Sequence, residues 1–332
     1  PPPPPPPPSP PPPRPPPPTR LNCRRQRQMC IRDSASTFEP VIKTHAPGLL
    51  LEMQGIADGA GCDLSNILLV NARSELMSRA DECTALAATA GATSQGQVLL
   101  GQNWDWYTSI EDEPILLRIR QPNKPEILTL AEAGQVAKIG LNSAGLGVCL
   151  NFLDHRDQGH GLPVHVLLRR VLECETLGQA AQSALNVPRA GAANLMLAHV
   201  EGEILDLELT AADADFIYGD GGWLAHANHF ESDRLRGSDV GHAASVSTLV
   251  RAARARRLLA SAQGGVTLDT FQAILNDHAY GTGAICRHPD SDESWLQQTE
   301  TCASMILDLS ARKMYLAAGR PCREGYQSIG FN

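Results

Sequence analysis

No stretch of this chain reaches the roughly 18 uninterrupted apolar residues that a membrane span needs, and no apolar core of a secretory signal follows its first residues. The expectation is a cytoplasmic protein with no membrane partner. Basic residues are in short supply: 28 Lys and Arg stand against 36 Asp and Glu, for a formal charge of −8. Nucleic-acid binders carry basic faces or stripes, so a nucleic-acid partner is not expected and a small molecule is. Nine cysteines are present, but no C-x-x-C pair occurs, and the even framework of a short secreted chain is missing. Neither zinc nor disulfides is suggested by that spacing, and most of the thiols read as small buried apolar groups. G-x-G-x-x-G, Walker A and H-E-x-x-H motifs are absent too, so no cofactor is expected. His226 and His229 have a His-x-x-His spacing, but no carboxylate or thiol motif accompanies them, and a metal is not expected there.

What is present divides the 332 residues in two. Residues 1–20 are almost pure proline and lead into the basic run Arg24-Arg25-Gln26-Arg27. Such a segment cannot build a core, and residues 1–36 read as a low-complexity tail outside the domain. The remainder, 37–332, has ample apolar content for one domain. A helical pattern runs from Thr37 to Ala57, is interrupted at Pro47-Gly48 and stops at residues 59–61. Asp63 or Ser65 then caps a second helix, which ends in the polar cluster Asn71-Ala72-Arg73-Ser74-Glu75. That cluster is either a helix end with a local ion pair or a support for a site.

From Cys83 onward the texture is β. Residues 84–89 and 97–100 flank a Gly/Ser turn and read as a hairpin beginning at or near Cys83. Further strands are expected over 115–120, 127–131, 136–141, 147–152, 194–200, 204–209, 303–309 and 314–318. Helices are expected over 164–173, 177–185, 250–262 and 268–276. Hairpin-linked strands alternating with helix pairs point to an α+β fold of antiparallel sheets covered by helices.

The chemistry gathers around Asp81-Glu82-Cys83-Thr84 and the later Gly101-Gln102-Asn103-Trp104-Asp105-Trp106. Were the bond between Glu82 and Cys83 cut, Cys83 would carry a thiol of pKa ~8.5 and a free α-amine of pKa ~7.7–8.0. One residue would then hold both nucleophile and base. The hairpin brings Asn103 and Asp105 toward that thiol as a polar turn, with Trp104 and Trp106 alternating onto the other face. In Ala225-His226-Ala227-Asn228-His229, Asn228 is the better functional candidate, as an oxyanion donor. Cys286 with His288 is a rival Cys–His pair, ranked below Cys83.

Taken in order with Glu132-Ala133-Gly134, Gly140-Leu141-Asn142-Ser143-Ala144-Gly145, Ile285-Cys286-Arg287 and Gly319-Arg320-Pro321, these motifs resemble the acyl-coenzyme A:6-aminopenicillanic acid acyltransferase family, peptidase family C45 of the N-terminal-nucleophile hydrolases. The resemblance implies a four-layer αββα sandwich. It also implies a precursor that cuts itself between Glu82 and Cys83, leaving a 37–82 segment associated with an 83–332 chain. Cys83 is then the nucleophile, Asp105 organises the cysteine and its amine, Asn228 donates to the oxyanion, and Asn103, Arg73, Glu75 and Arg287 are supporting candidates. The implied activity is transfer or hydrolysis of an acyl group from an amide or thioester, with acyl-coenzyme A as a conceivable co-substrate. Two departures stand out. The Ser–Arg pair of the penicillin-biosynthetic members has no counterpart in residues 300–304, and the segment ahead of the nucleophile is short. The alternative reading is a truncated, unprocessed, non-catalytic homologue with a proline-rich tail that binds an SH3-like partner.

Overall fold

The computed structural model describes residues 34–76, 82–108, 114–156, 159–241 and 245–331. Nearly all of the proline-rich tail, together with Asp81, lies outside the described residues. The first layer is helical: α1 (Glu39–His45), α2 (Pro47–Ala60), α3 (Leu64–Asn71) and the single turn α4 (Arg73–Leu76). Pro47 opens α2, where its missing N–H costs nothing, and Gly61 closes it in the left-handed conformation at φ 63°. Asp63 occupies the N-cap of α3.

Thirteen strands follow among the described residues, in two antiparallel sheets. The first sheet has the order β10 (Trp223–His226), β1 (Glu82–Ala88), β2 (Leu99–Tyr107), β11 (Thr299–Asp308), β12 (Lys313–Ala317), β13 (Gln327–Gly330). The second runs in chain order through β3 (Ile115–Ile119), β4 (Ile127–Ala131), β5 (Ile139–Asn142), β6 (Leu146–Phe152), β7 (Ala193–His199), β8 (Ile204–Leu209) and β9 (Ala214–Ile217). The sheets face each other across the largest core cluster, in which Ala85, Ala87, Leu100 and Trp104 meet Leu141, Val148, Leu195 and Leu197.

Helices α7 (Ser247–Ser261) and α8 (Leu268–Leu275) cover the first sheet, packing Ala255, Leu259, Phe271 and Leu275 onto Leu86, Leu99 and Ile306. On the other side α5 (Val164–Leu172) and α6 (Leu177–Leu185) cover the second sheet. Helix α5 turns Leu168 and Val171 to the sheet and Val166 and Leu167 to the α1–α3 layer, so it is buried nearly all round although it carries His165 and Arg169. The αββα sandwich is therefore the observed architecture. One sequence expectation needs correction: residues 101–106 are not a turn but the interior of β2, with Cys83 in register with Trp104 and Glu82 with Asp105.

Candidate active site

Register decides which side chains share a face. Directly paired residues point the same way, so Glu82 and Thr84 on β1 join Asp105 and Asn103 on the helix-covered face of the sheet. Cys83 and Trp104 point instead into the core between the sheets, and Cys83 is 2% exposed. The thiol thus lies on the tryptophan face, not on the face of Asp105. Burial pushes the Cys149 thiol up, and a Cys83 thiolate nearby disfavours its ionisation further.

The backbone of Cys83 does reach the polar face. Its N–H donates to Asn228 Oδ1 at 2.8 Å, while Asn228 Nδ2 donates to Phe152 O at 3.1 Å. At this bond Asn228 accepts through Oδ1. Its placement comes from the end of β10 and from Thr248, whose hydroxyl accepts from Asn228 N at 2.6 Å.

Around Glu82 the charges are paired. Arg287 Nη2 and Arg251 Nη2 both bond Glu82 Oε2, and the Ser245 and Ser247 hydroxyls donate to the same carboxylate at 2.9 and 2.8 Å. Burial alone would raise Glu82, but Arg251, Arg287 and the two hydroxyls outweigh it and hold the carboxyl below its ordinary value. Asp105 has the opposite balance: complete burial drives its pKa up to about 6, against the pull of Arg287, Arg251 and Thr301. Thr301 Oγ1 donates to Asp105 Oδ1 at 2.7 Å and accepts from Arg287 N at 2.9 Å, and Arg287 Nε lies 3.7 Å from Asp105 Oδ2. A bulge in β11 between Thr301 and Ala303 re-aims the strand at this point.

These groups line a cavity of about 520 Å³, whose wall includes Glu82, Asp105, Asn228, Ser247, Arg251 and Arg287. Of the sequence candidates, Glu82, Asp105, Asn228 and Arg287 meet there, with the Cys83 backbone beside them. Arg73, Glu75 and Asn103 do not. Arg73 pairs with the buried Glu132 and lies over the Trp106 ring at 4.4 Å, and Glu75 accepts from Val164 N at 2.6 Å. Those contacts join the first helical layer to Glu132 beyond β4 and to the start of α5, so the ion pair of this cluster is a long-range one rather than a local one. Asn103 donates to Leu275 O and Ile285 O at 2.7 and 2.9 Å, which anchors the segment carrying Arg287 from behind.

Arg251 is the residue that motif reading missed. It is 1% exposed and donates to Cys83 O, to Thr84 Oγ1 at 2.8 Å and to Asn228 Oδ1 at 3.0 Å. A signal existed in α7: Thr248, Arg251, Ala252, Ala255 and Leu259 recur at helical spacing, which puts this arginine on the buried stripe. The rival Cys286 lies 3.9 Å from His288 Nε2, but burial and the neighbouring Cys322 thiol push it well above an ordinary thiol. At the His-x-x-His spacing, His226 Nε2 faces Glu208 Oε1 at 2.8 Å and His229 Nδ1 faces Thr248 Oγ1 at 2.9 Å.

Known proteins share parts of this sequence and this fold. A family model described as acyl-coenzyme A:6-aminopenicillanic acid acyl-transferase matches residues 92–323. The 40 kDa form of acyl-coenzyme A:6-aminopenicillanic-acid-acyltransferase from Emericella nidulans is 29% identical over 297 residues, covering 86% of this chain and 78% of that protein. Among solved structures, a variant of conjugated bile acid hydrolase from Clostridium perfringens superposes with a TM-score of 0.51 at 14% identity, over 75% of this chain and 97% of that one. Penicillin V acylase from Agrobacterium tumefaciens gives 0.51 at 11% identity, over 75% and 86% of the two chains. At such identities the structural likeness speaks to fold alone, whereas the family match spans well over half of the sequence. The chain belongs to the acyl-coenzyme A:6-aminopenicillanic acid acyltransferase family and has the N-terminal-nucleophile hydrolase fold.

Proposed function

We propose that this protein is a cysteine acyltransferase or amidohydrolase that makes its own nucleophile by cutting the Glu82–Cys83 bond. The observation that carries the reading is the setting of that bond. It opens β1 at the wall of the cavity, its N–H is held by Asn228, its flanking carboxylate is held by two arginines, and Asp105 lies directly across the strand pair.

In the proposed cut the Cys83 thiol adds to the Glu82 carbonyl carbon. The C–N bond breaks as the nitrogen takes up a proton, and water hydrolyses the resulting thioester. The products are a Glu82 carboxylate and a Cys83 with a free α-amine. Released from Glu82, Cys83 can rotate out of the tryptophan face toward the cavity. Its thiolate then attacks the carbonyl of an acyl amide or acyl thioester, with acyl-coenzyme A as one donor of the second kind. The α-amine passes the proton to the leaving group, and an amine or water releases the acyl group from Cys83.

Intact-mass measurement of the purified protein tests the first step. Two polypeptides are expected, the larger beginning at Cys83, against a single chain for Cys83→Ala. A wild-type chain no more cleaved than that variant would sink the proposal. A panel of N-acyl amino acids, β-lactam amides and acyl thioesters presented to the processed protein identifies the donor.

A further inference from the structure

At the edge of the cavity, whose wall includes His288, four nitrogen and sulfur donors from three separate stretches of chain come together. His278 follows α8, Cys286 and His288 flank Arg287 in the segment leading to β11, and Cys322 lies between β12 and β13. One ligand atom from each lies within 4.8 Å of all the others. His288 Nε2 is 3.2 Å from His278 Nε2, 3.4 Å from Cys322 Sγ and 3.9 Å from Cys286 Sγ. A tetrahedron built on Zn–N bonds of ~2.0–2.1 Å and Zn–S bonds of ~2.3 Å has edges of roughly 3.3–3.8 Å, so the three separations from His288 lie close to that shape and small side-chain shifts complete it.

We propose that His278, Cys286, His288 and Cys322 form a tetrahedral Cys2His2 site for a zinc-class divalent cation. Two thiolates and two imidazoles suit a borderline-soft ion and exclude magnesium or calcium, which take oxygen donors. Binding displaces the two thiol protons, and the two thiolates balance the two charges of the cation, so no oxidant or reductant is involved. His278 is exposed and Cys286 fully buried, which gives the ion a path in from the His278 side.

The surroundings allow this with one adjustment. Arg320 Nη1 is 3.3 Å from His288 Nδ1, and a His288 that binds metal through Nε2 carries its proton on Nδ1. Arg320 then swings away, and the Glu300 carboxylate, 3.4 Å from the same nitrogen, is there to receive it.

The consequence for the rest of the molecule comes from Arg287. It stands between two of the ligands while its own guanidinium reaches Glu82. A bound cation would clamp the backbone on both sides of Arg287 and tie it to the turn carrying Cys322, making the ion a positioning device for the cavity.

Metal content of the full-length chain, dialysed against metal-free buffer after loading with zinc, tests the site. One zinc per chain is expected in the wild type and in Cys174→Ser. It should fall at least tenfold in His278→Ala, whose side chain is exposed, and in Cys322→Ser. Cobalt in place of zinc should give the visible bands of a tetrahedral thiolate site, lost in Cys322→Ser. Zinc should also raise the wild-type melting temperature and leave that of His278→Ala unchanged. Zinc retained by both His278→Ala and Cys322→Ser, no zinc in the wild type, or a Cys286–Cys322 disulfide in the non-reduced digest would each overturn the proposal. Metal content is read whether or not the chain cuts itself, so this result stands apart from the mass test of processing.

Discussion

Asp105 is fully buried, and that burial, working against Arg287, Arg251 and Thr301, lifts its pKa from 3.8 to about 6. A group whose folded pKa is raised stabilises the fold at pH below its unfolded value, and that stability is lost as pH rises through the folded value. Between pH 4 and pH 7 the wild type should therefore lose up to roughly 3 kcal/mol that Asp105→Asn does not lose. Urea unfolding of both proteins across that range checks it, and parallel pH profiles would refute it. The neighbouring residues explain why the motif was legible as a motif but not as roles. Gln102 bonds the Leu150 backbone on the other sheet through both ends of its amide, Asn103 holds Leu275 O and Ile285 O, and Lys138 lies 3.5 Å over the Trp104 ring. Only Asp105 among them enters the cavity wall together with Trp106. Partners such as Leu275 and Ile285 are about 170 to 180 residues away in the chain, and no local pattern announces them.

At the level of elements, α7 matters more than its sequence advertises. Four arginines in a fifteen-residue helix read as a solvated face, yet Arg251 is buried on the stripe that packs against β1. Arg251→Met would remove one of the two arginines on Glu82 and take the guanidinium donors from Cys83 O, Thr84 Oγ1 and Asn228 Oδ1, and each buried polar group left short of a partner costs about 1–3 kcal/mol. Chemical denaturation should show that loss, and intact mass should show slower cutting. Arg251→Lys should restore little, since one ammonium cannot reproduce the fork that meets Cys83 O, Thr84, Glu82 and Asn228.

Gly140 on β5 gives a second element-scale prediction. A Cβ there would collide with Leu128 O and lie 2.8 Å from Thr129 Cα, both backbone atoms that cannot step aside. Gly140→Ala should destabilise by about 3 kcal/mol or more, read as a lower urea midpoint. The four later helices and strands such as β4, β6, β7 and β8 were legible because hydrophobic period and turn residues agree along them, whereas β2 beyond Leu100 read as a turn because polar residues interrupt its apolar run. The edge strands β9, β10 and β13 were not, because four residues are too few to establish a period.

For the molecule as a whole, antiparallel sheets covered by helices could be read from hairpin spacing and the sandwich from the family resemblance, but the fate of the first helical layer could not. That layer is bound by its own core, in which Ile42, Met53, Ala57 and Leu68 meet Val136, Val166 and Leu167. Polar contacts add direction. Glu52 takes a bidentate pair from the buried Arg169 at 2.8 and 2.9 Å, and Asn71 both donates to Gly134 O at 2.8 Å and accepts from Val136 N at 3.0 Å. None of these contacts depends on an intact Glu82–Cys83 bond. A cut chain should therefore elute as one particle in native gel filtration, with the small fragment separating only in denaturant. Asn71→Ala strands two backbone groups in the loop between β4 and β5, at about 1–3 kcal/mol each. The small fragment should accordingly leave the cut protein at least tenfold faster in that variant. Gel filtration at successive times after dilution measures it, and equal retention of the fragment in wild type and variant would show that the apolar layer alone holds the two pieces together.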